Sequence, residues 1–193
     1  MILHPFTSMT LRVQLAQVVG GLFIGYVLDI PRLRRSQRAK LGWVITFTMT
    51  MSIYGGGYAF QKWANAKGKM NWLDFSDASE FVGPCFLYVF YGMYDAVFQS
   101  LCYWAMGALS NDPGTIARYV ALYKAFQATG GAMAWRLNAL KKPAMTQFAM
   151  NWGLLAGSLV IGLPTLWLVA DTSMVDEMEP EAIEAPKIKD VNE

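Results

Sequence analysis

The sequence is short of charge. Asp, Glu, Lys and Arg together make up 16% of its 193 residues, against roughly 25% in water-soluble domains. It holds one histidine, His4, and two cysteines, Cys85 and Cys102. A single His with no cysteine cluster cannot assemble a metal site. The two cysteines fall on one predicted helix, 17 residues apart. That separation is about 25 Å of helix, too far for a bridge within the chain, so they carry no information on redox compartment. There is no nucleophile–His pair and no phosphate-binding loop, so enzyme activity, a cofactor and a metal are not expected. A net charge of +2, without a basic stripe bearing a binding motif, argues against a nucleic-acid partner. The start also lacks the basic segment and small-residue cleavage site of a signal peptide.

Apolar sequence takes the place of charge. Hydrophobic residues make up 54% and the mean hydropathy is +0.28. The charges crowd into 32–40, 62–80, 136–142 and 171–193, and long apolar segments lie between them. That punctuation predicts an all-α, polytopic membrane protein, with the lipid bilayer as its first partner. A spanning helix needs about 20 mostly apolar residues. Five stretches qualify: about 10–30, 41–60, 81–109, 115–136 and 147–170. The first carries Arg12, Gln14 and Gln17 early, and the fourth holds Arg118 and Lys124. The expected organisation is a short N-terminal segment (1–9), a five-helix transmembrane domain (10–170) and an acidic tail (171–193). The tail has too little apolar residue content to order itself.

Loop 31–40, "PRLRRSQRAK", has five basic residues and no acid. Basic residues collect on the cytoplasmic side, so this loop and the tail are expected inside, with the N-terminus and loop 61–80 outside. Small residues at Gly21 and Gly25, and at Gly153 and Gly157, have the spacing that lets helices approach closely in lipid.

One acid stands alone in an apolar, aromatic stretch, "VFYGMYDAVFQSLCYW" (89–104). Asp95 lies 13 residues from Ala108, roughly 20 Å from the inner end of its helix. Lys124 lies 10 residues along the next helix from Gly114, roughly 15 Å in. Both therefore fall near the middle of a ~30 Å hydrocarbon core. Charge at that depth usually marks a substrate or ion path, and the expectation is that Asp95 and Lys124 neutralise one another. Tyr88, Tyr91, Asp95, Gln99 and Cys102 share one helix face. Lys124, Gln127 and Gly131 share another. These residues are candidates to line a path for a small solute or ion.

The segment "GYVLDIPRLRRSQRAK" (25–40) places Gly25 and Asp29 on one helix face at the membrane edge. Asp29 there could latch onto a nearby Arg or a neighbouring helix N-terminus. Gly25-x-x-x-Asp29 followed by Arg32, Arg34, Arg35 and Arg38 resembles the loop signature of the major facilitator superfamily. Ile30 and Pro31 follow the acid where that family usually has a basic residue. A narrower resemblance runs over residues 91–137. The Tyr103-Trp104 pair, "GALSNDP" (107–113), "ARYVALYKAFQ" (117–127) and "AWRL" (134–137) are similar to the fungal Unc-ninety-three-like branch of the superfamily.

The resemblance implies twelve helices in two halves, of which these five look like the last five. The first helix of the C-terminal half and the whole N-terminal half are then missing. A transporter portion that does not transport alone is the implied function, because alternating access needs two repeats about a midplane site. The alternative is a non-transporting subunit that regulates or escorts an ion channel or receptor, since known members include both a channel regulator and a receptor chaperone. The implied partner is a missing N-terminal half or another membrane protein.

The basic-residue asymmetry yields a first prediction. With Cys85 and Cys102 removed, a membrane-impermeant thiol reagent added to intact cells should label Gly68→Cys and spare Ser36→Cys. The reverse pattern would invert the orientation.

Overall fold

The computed structural model describes residues 3–66 and 78–169. The acidic tail and the middle of loop 61–80 lie outside these. The described residues form helices joined by short turns, with no strand among them: α1 Leu3–Leu28, α2 Arg35–Ala66, α3 Ala78–Leu109, α4 Pro113–Ala139 and α5 Ala144–Trp167. Each helix begins before the apolar stretch read from sequence, because i→i−4 hydrogen bonding continues through flanking polar residues, while α1 and α5 end two to three residues short of theirs. In particular, α1 begins at Leu3, so most of the expected N-terminal segment is helical. Pro5 sits in the first turn, where a missing amide breaks no helical bond.

By length and composition, two segments are long and apolar enough to cross a membrane: Thr10–Leu28 and Ala144–Trp167. The other helices fall short for visible reasons. α2 is rich in Thr, Gly and polar aromatics, α3 carries Asp95 and Gln99 among its tyrosines and glycines, and α4 carries Arg118 and Lys124.

Turn chemistry sets the helix ends. In the α3–α4 turn, Asp112 caps α4, accepting from the Thr115 amide and hydroxyl, both at 2.7 Å. Pro113 follows at the first helical position, where its fixed φ suits the helix. The bonds from Thr115 hold the Asp112 carboxyl below the usual carboxylate range. Because that value is depressed, the cap's contribution is present at neutral pH and lost as pH falls through the folded-state value. At the other end of α4, Lys141 takes a left-handed φ of 51°. The Lys142 amide reaches Leu137 O at 3.3 Å and the Lys141 amide reaches Asn138 O at 2.9 Å. This is the paired closure of a Schellman motif, and Pro143 then begins the next element.

α1 packs along α3 more extensively than any other pair, α2 lies against both α3 and α5, and α4 meets chiefly α3. Three small cores result. Ile24, Val27 and Leu28 meet Val97 and Leu101. Ile53, Tyr54 and Tyr94 gather Tyr91, Phe98, Phe148 and Trp152. Ala39, Ala108, Leu166 and Val169 close the end at which α1, α3 and α5 finish.

The glycines that admit close contact are not the expected ones. No atom lies within 4 Å of where a Cβ would sit on Gly21, Gly25, Gly153 or Gly157. The close approaches are at Gly20 against the Met93 backbone, Gly92 against Val13, Gly42 against Leu28 and Leu101, and Gly57 against Tyr91 and Phe148. Spacing marks pairs of small residues, but the face a helix turns to its neighbour decides which pair is used.

Gly20 and Gly21 therefore separate cleanly. Gly20→Leu should destabilise the α1–α3 pair by about 1–3 kcal/mol, the usual cost of overpacking, while Gly21→Leu in the same chain should be near neutral. Thermal unfolding of the two variants in detergent checks this, and equal losses would contradict it.

Candidate functional site

The site lies along the α1–α3 contact at mid-length, where Asp95 is exposed rather than turned to the bundle interior. Asp95 does not stand alone there. Its Oδ2 accepts from Gln17 Nε2 of α1 at 3.3 Å and from Gln99 Nε2, one turn along α3, at 3.0 Å. Gln17 is the residue that the sequence reading noted without assigning it a role. The signal was depth: it lies 11 residues before Leu28, roughly 17 Å from the inner end of α1, level with Asp95. One carboxylate oxygen thus accepts two neutral donors, of which Gln17 joins α1 to α3 and Gln99 braces the acid from its own helix.

A second set of polar groups lies beside this cluster. Thr50 of α2 is fully buried. Its hydroxyl is 2.8 Å from the Tyr94 hydroxyl and 2.7 Å from Thr46 O. Thr46, also fully buried, donates back to Gly42 O at 2.8 Å. Buried hydroxyls that bond to the preceding turn are how Ser and Thr satisfy themselves in an apolar helix. Asn151 of α5 donates to the Tyr54 hydroxyl at 3.0 Å. Tyr91 meets Tyr54 edge-on at 5.2 Å, and Trp152 stacks on Tyr54 at 6.3 Å. Three helices thus exchange hydrogen bonds through an aromatic cluster.

Lys124 of α4 is engaged elsewhere. Its Nζ donates to Gln127 Oε1 at 2.8 Å. It lies 5.4 Å from the centre of the Tyr103 ring and 5.6 Å from that of Tyr123, within the range of a cation–π contact. Among the described residues no ion pair joins Asp95 to Lys124; one charge is held by amides, the other by rings and an amide. Of the remaining path candidates, Tyr88 is exposed and Tyr91 packs inward. Cys102 and Tyr123 line an apolar cleft of about 280 Å³ between α3, α4 and α5. A larger apolar groove, about 520 Å³, runs between α1 and α3 with Arg12 as its charged residue. No group of three or more His, Cys, Asp or Glu able to hold a metal occurs among the described residues.

The loop motif is arranged around backbone carbonyls. The Asp29 amide closes the last turn of α1 on Gly25 O at 2.9 Å, and the Asp29 side chain is exposed, with no ion pair among the described residues. The arginines turn to helix ends. Arg38 Nη1 donates to Leu28 O, the last carbonyl of α1, at 3.1 Å. Arg35 Nη2 donates to Gly107 O in the last turn of α3 at 2.9 Å. Lys40 Nζ sits 5.4 Å over the ring of Trp167, the last residue of α5. The first two turns of α2 thus supply a cation to the C-terminus of each of three neighbours, where unpaired carbonyls and the helix dipole favour positive charge.

The Gln17–Asp95 contact is open to measurement. Side-chain hydrogen bonds between membrane helices average about 0.6 kcal/mol and reach about 1.7. Gln17→Leu should therefore cost about that much in a double-mutant cycle with Asp95→Asn, and Gln14→Leu should show no coupling to Asp95. Absence of coupling at Gln17 would remove it from the site.

No protein-family model and no solved structure matches the chain. Curated relatives do. An UNC93-like protein of Schizosaccharomyces pombe is 38% identical over 174 residues, which is 86% of this chain and 34% of that protein. UNC93-like proteins 1 and 2 of Arabidopsis thaliana are each 40% identical over 141 residues, 72% of this chain and 31% of theirs. The chain spans about a third of the length of these relatives. Identity at this level over most of the chain agrees with the motifs at 91–137 and with the helical architecture: the chain belongs to the UNC93-like family.

Proposed function

We propose that this chain is the C-terminal membrane portion of a major-facilitator-type transporter, that it crosses the bilayer five times, and that it does not transport alone. The observation that carries this reading is the state of α4. None of its residues is buried. Phe126 is 75% exposed and Trp135 78%, and Lys124 is exposed as well. A lysine near mid-depth of a spanning helix costs about 2.5–3.5 kcal/mol on insertion scales, so such a helix needs protein on more than one side. The two-thirds of the relatives' length that this chain does not match is a ready source of that cover. Charge at depth, on Asp95 and Lys124, supports a solute or ion path through the completed bundle.

Replacing the matching third of the Schizosaccharomyces pombe protein with this chain tests the reading. Cysteines placed at Phe126 and Trp135 should react with a bilayer-partitioning maleimide when the chain is expressed alone and be protected in the chimera. Solute flux or ion current should be carried by the chimera only. Equal labelling in both, or flux through the lone chain, would overturn the proposal. Protection in the lone chain by a co-purifying channel or receptor would establish the escort role in its place.

A further inference from the structure

The two segments long and apolar enough to cross a membrane end at one level of the fold. Thr10–Leu28 stops at the end of α1, and Ala144–Trp167 stops at the end of α5. Both ends are fastened to the head of α2: Arg38 Nη1 donates to Leu28 O at 3.1 Å, and Lys40 Nζ lies 5.4 Å over the Trp167 ring. Trp167 and Leu168 are exposed there, and so is Tyr26 near the end of α1. Amphipathic rings of this kind collect at the headgroup layer of a bilayer. Above Tyr26, Leu15, Val18, Val19, Leu22 and Phe23 leave an exposed apolar face along α1. The connection between α1 and α2 therefore lies where an apolar surface gives way to polar headgroups.

The charges at this level divide. Arg35 and Arg38 are committed to the ends of α3 and α1. Arg32 and Arg34 are exposed, and their guanidinium groups have no hydrogen-bond or ion-pair partner among the described residues. Residues 29–40 hold Arg32, Arg34, Arg35, Arg38 and Lys40 against Asp29 as the one acid. Asp29 forms no ion pair among the described residues, and Asp112, at the same end of the bundle, is taken by Thr115. The edge thus carries an excess of positive charge that the described residues do not neutralise. A guanidinium presents a planar fork of donors that matches two phosphate oxygens.

We propose that the Arg32–Arg34 edge binds the headgroup of an anionic phospholipid, with its phosphate on the two guanidinium groups and its acyl chains along the exposed face of α1. Every phospholipid offers a phosphate; the unneutralised positive charge selects one whose headgroup is net negative. A soluble phosphate would meet the same two arginines but gain nothing from the apolar face that leads to them, so the lipid is the occupant. The site rests on the two apolar segments and on the division of the arginines. It requires no transport activity, so its test stands apart from that of the proposed function.

Tryptophan quenching in the whole chain tests the site, in phosphatidylcholine vesicles that carry a minor fraction of either brominated phosphatidylserine or brominated phosphatidylcholine. Brominated phosphatidylserine should quench more than brominated phosphatidylcholine at equal fraction, and Trp167→Phe should remove most of the excess. Each basic residue at an anionic surface is worth about fivefold in partitioning, so Arg32→Gln and Arg34→Gln should each lower the preference by up to about that factor, and the double variant should leave almost none. Arg136→Gln, in the last turn of α4 at the other end of the bundle, should leave it unchanged. Arg32 and Arg34 are exposed, so the double variant should unfold in detergent at the wild-type temperature, which separates lost binding from lost fold. Equal quenching by the two lipids in the wild-type chain would overturn the site. So would a preference that survives the double variant, or one that Arg136→Gln removes to the same extent. Loss of the preference on adding inorganic phosphate, but not sodium chloride of equal ionic strength, would assign the edge to a soluble phosphate and overturn the lipid.

Discussion

Helix C-termini leave carbonyls unpaired, and this fold brings three of them to one end. α1, α3 and α5 all finish where α2 begins, and in a low-dielectric setting their aligned dipoles would repel one another there. The arrangement holds because the first two turns of α2 are cationic: Arg38 on Leu28 O, Arg35 on Gly107 O and Lys40 over Trp167. Positive charge at the start of α2 opposes that helix's own dipole; three neighbouring C-termini offset this. The arginine-rich loop and the head of α2 thus secure the helix ends. Arg38 shows how tight the fit is, since its Nε–H is buried with no partner among the described residues.

Away from that end, cohesion comes from close contact and shared hydroxyls rather than a large core. α1 and α3 come together at two reciprocal glycines, Gly20 against Met93 and Gly92 against Val13. α2 joins α3 through Thr50 and Tyr94 and joins α5 through two bonds, Tyr54 with Asn151 and the Trp43 indole N–H on Leu159 O at 2.9 Å. Between membrane helices, packing and polar contacts replace the hydrophobic drive that water would supply. α4 is outside this web, which is why its surface carries the functional proposal.

Asp95 and Lys124 show what such a web does to a sequence-level expectation. Depth is fixed by counting 1.5 Å per residue, and depth places Asp95 and Lys124 at similar levels. Azimuth is fixed by which neighbour each helix packs against. α3 turns Asp95 toward Gln17 of α1, while α4 sets Lys124 between two tyrosine rings. Each charge gains hydrogen bonds or ring contacts without the other.

The sequence by itself determined the all-helical character, the existence of five long helices, the turn at "SNDPG" and the family. Each is local: apolar run length, an Asp-Pro cap, and short motifs read along one strand of chain. It also marked Asp95, Lys124 and the arginine-rich loop as unusual, because charge in or beside an apolar run stands out without any fold. What only the tertiary structure decided was partnership. Gly20 and Gly92 pack closely while Gly21 and Gly25 do not, since a one-residue difference rotates a position by about 100° around the helix. Gln17 became a partner of Asp95, Arg38 closed the end of the preceding helix, and Arg35 became a cap for a helix distant in sequence. These pairings depend on helix rotation and crossing, which arise from the packing of all the helices together and leave no periodic trace in any one of them.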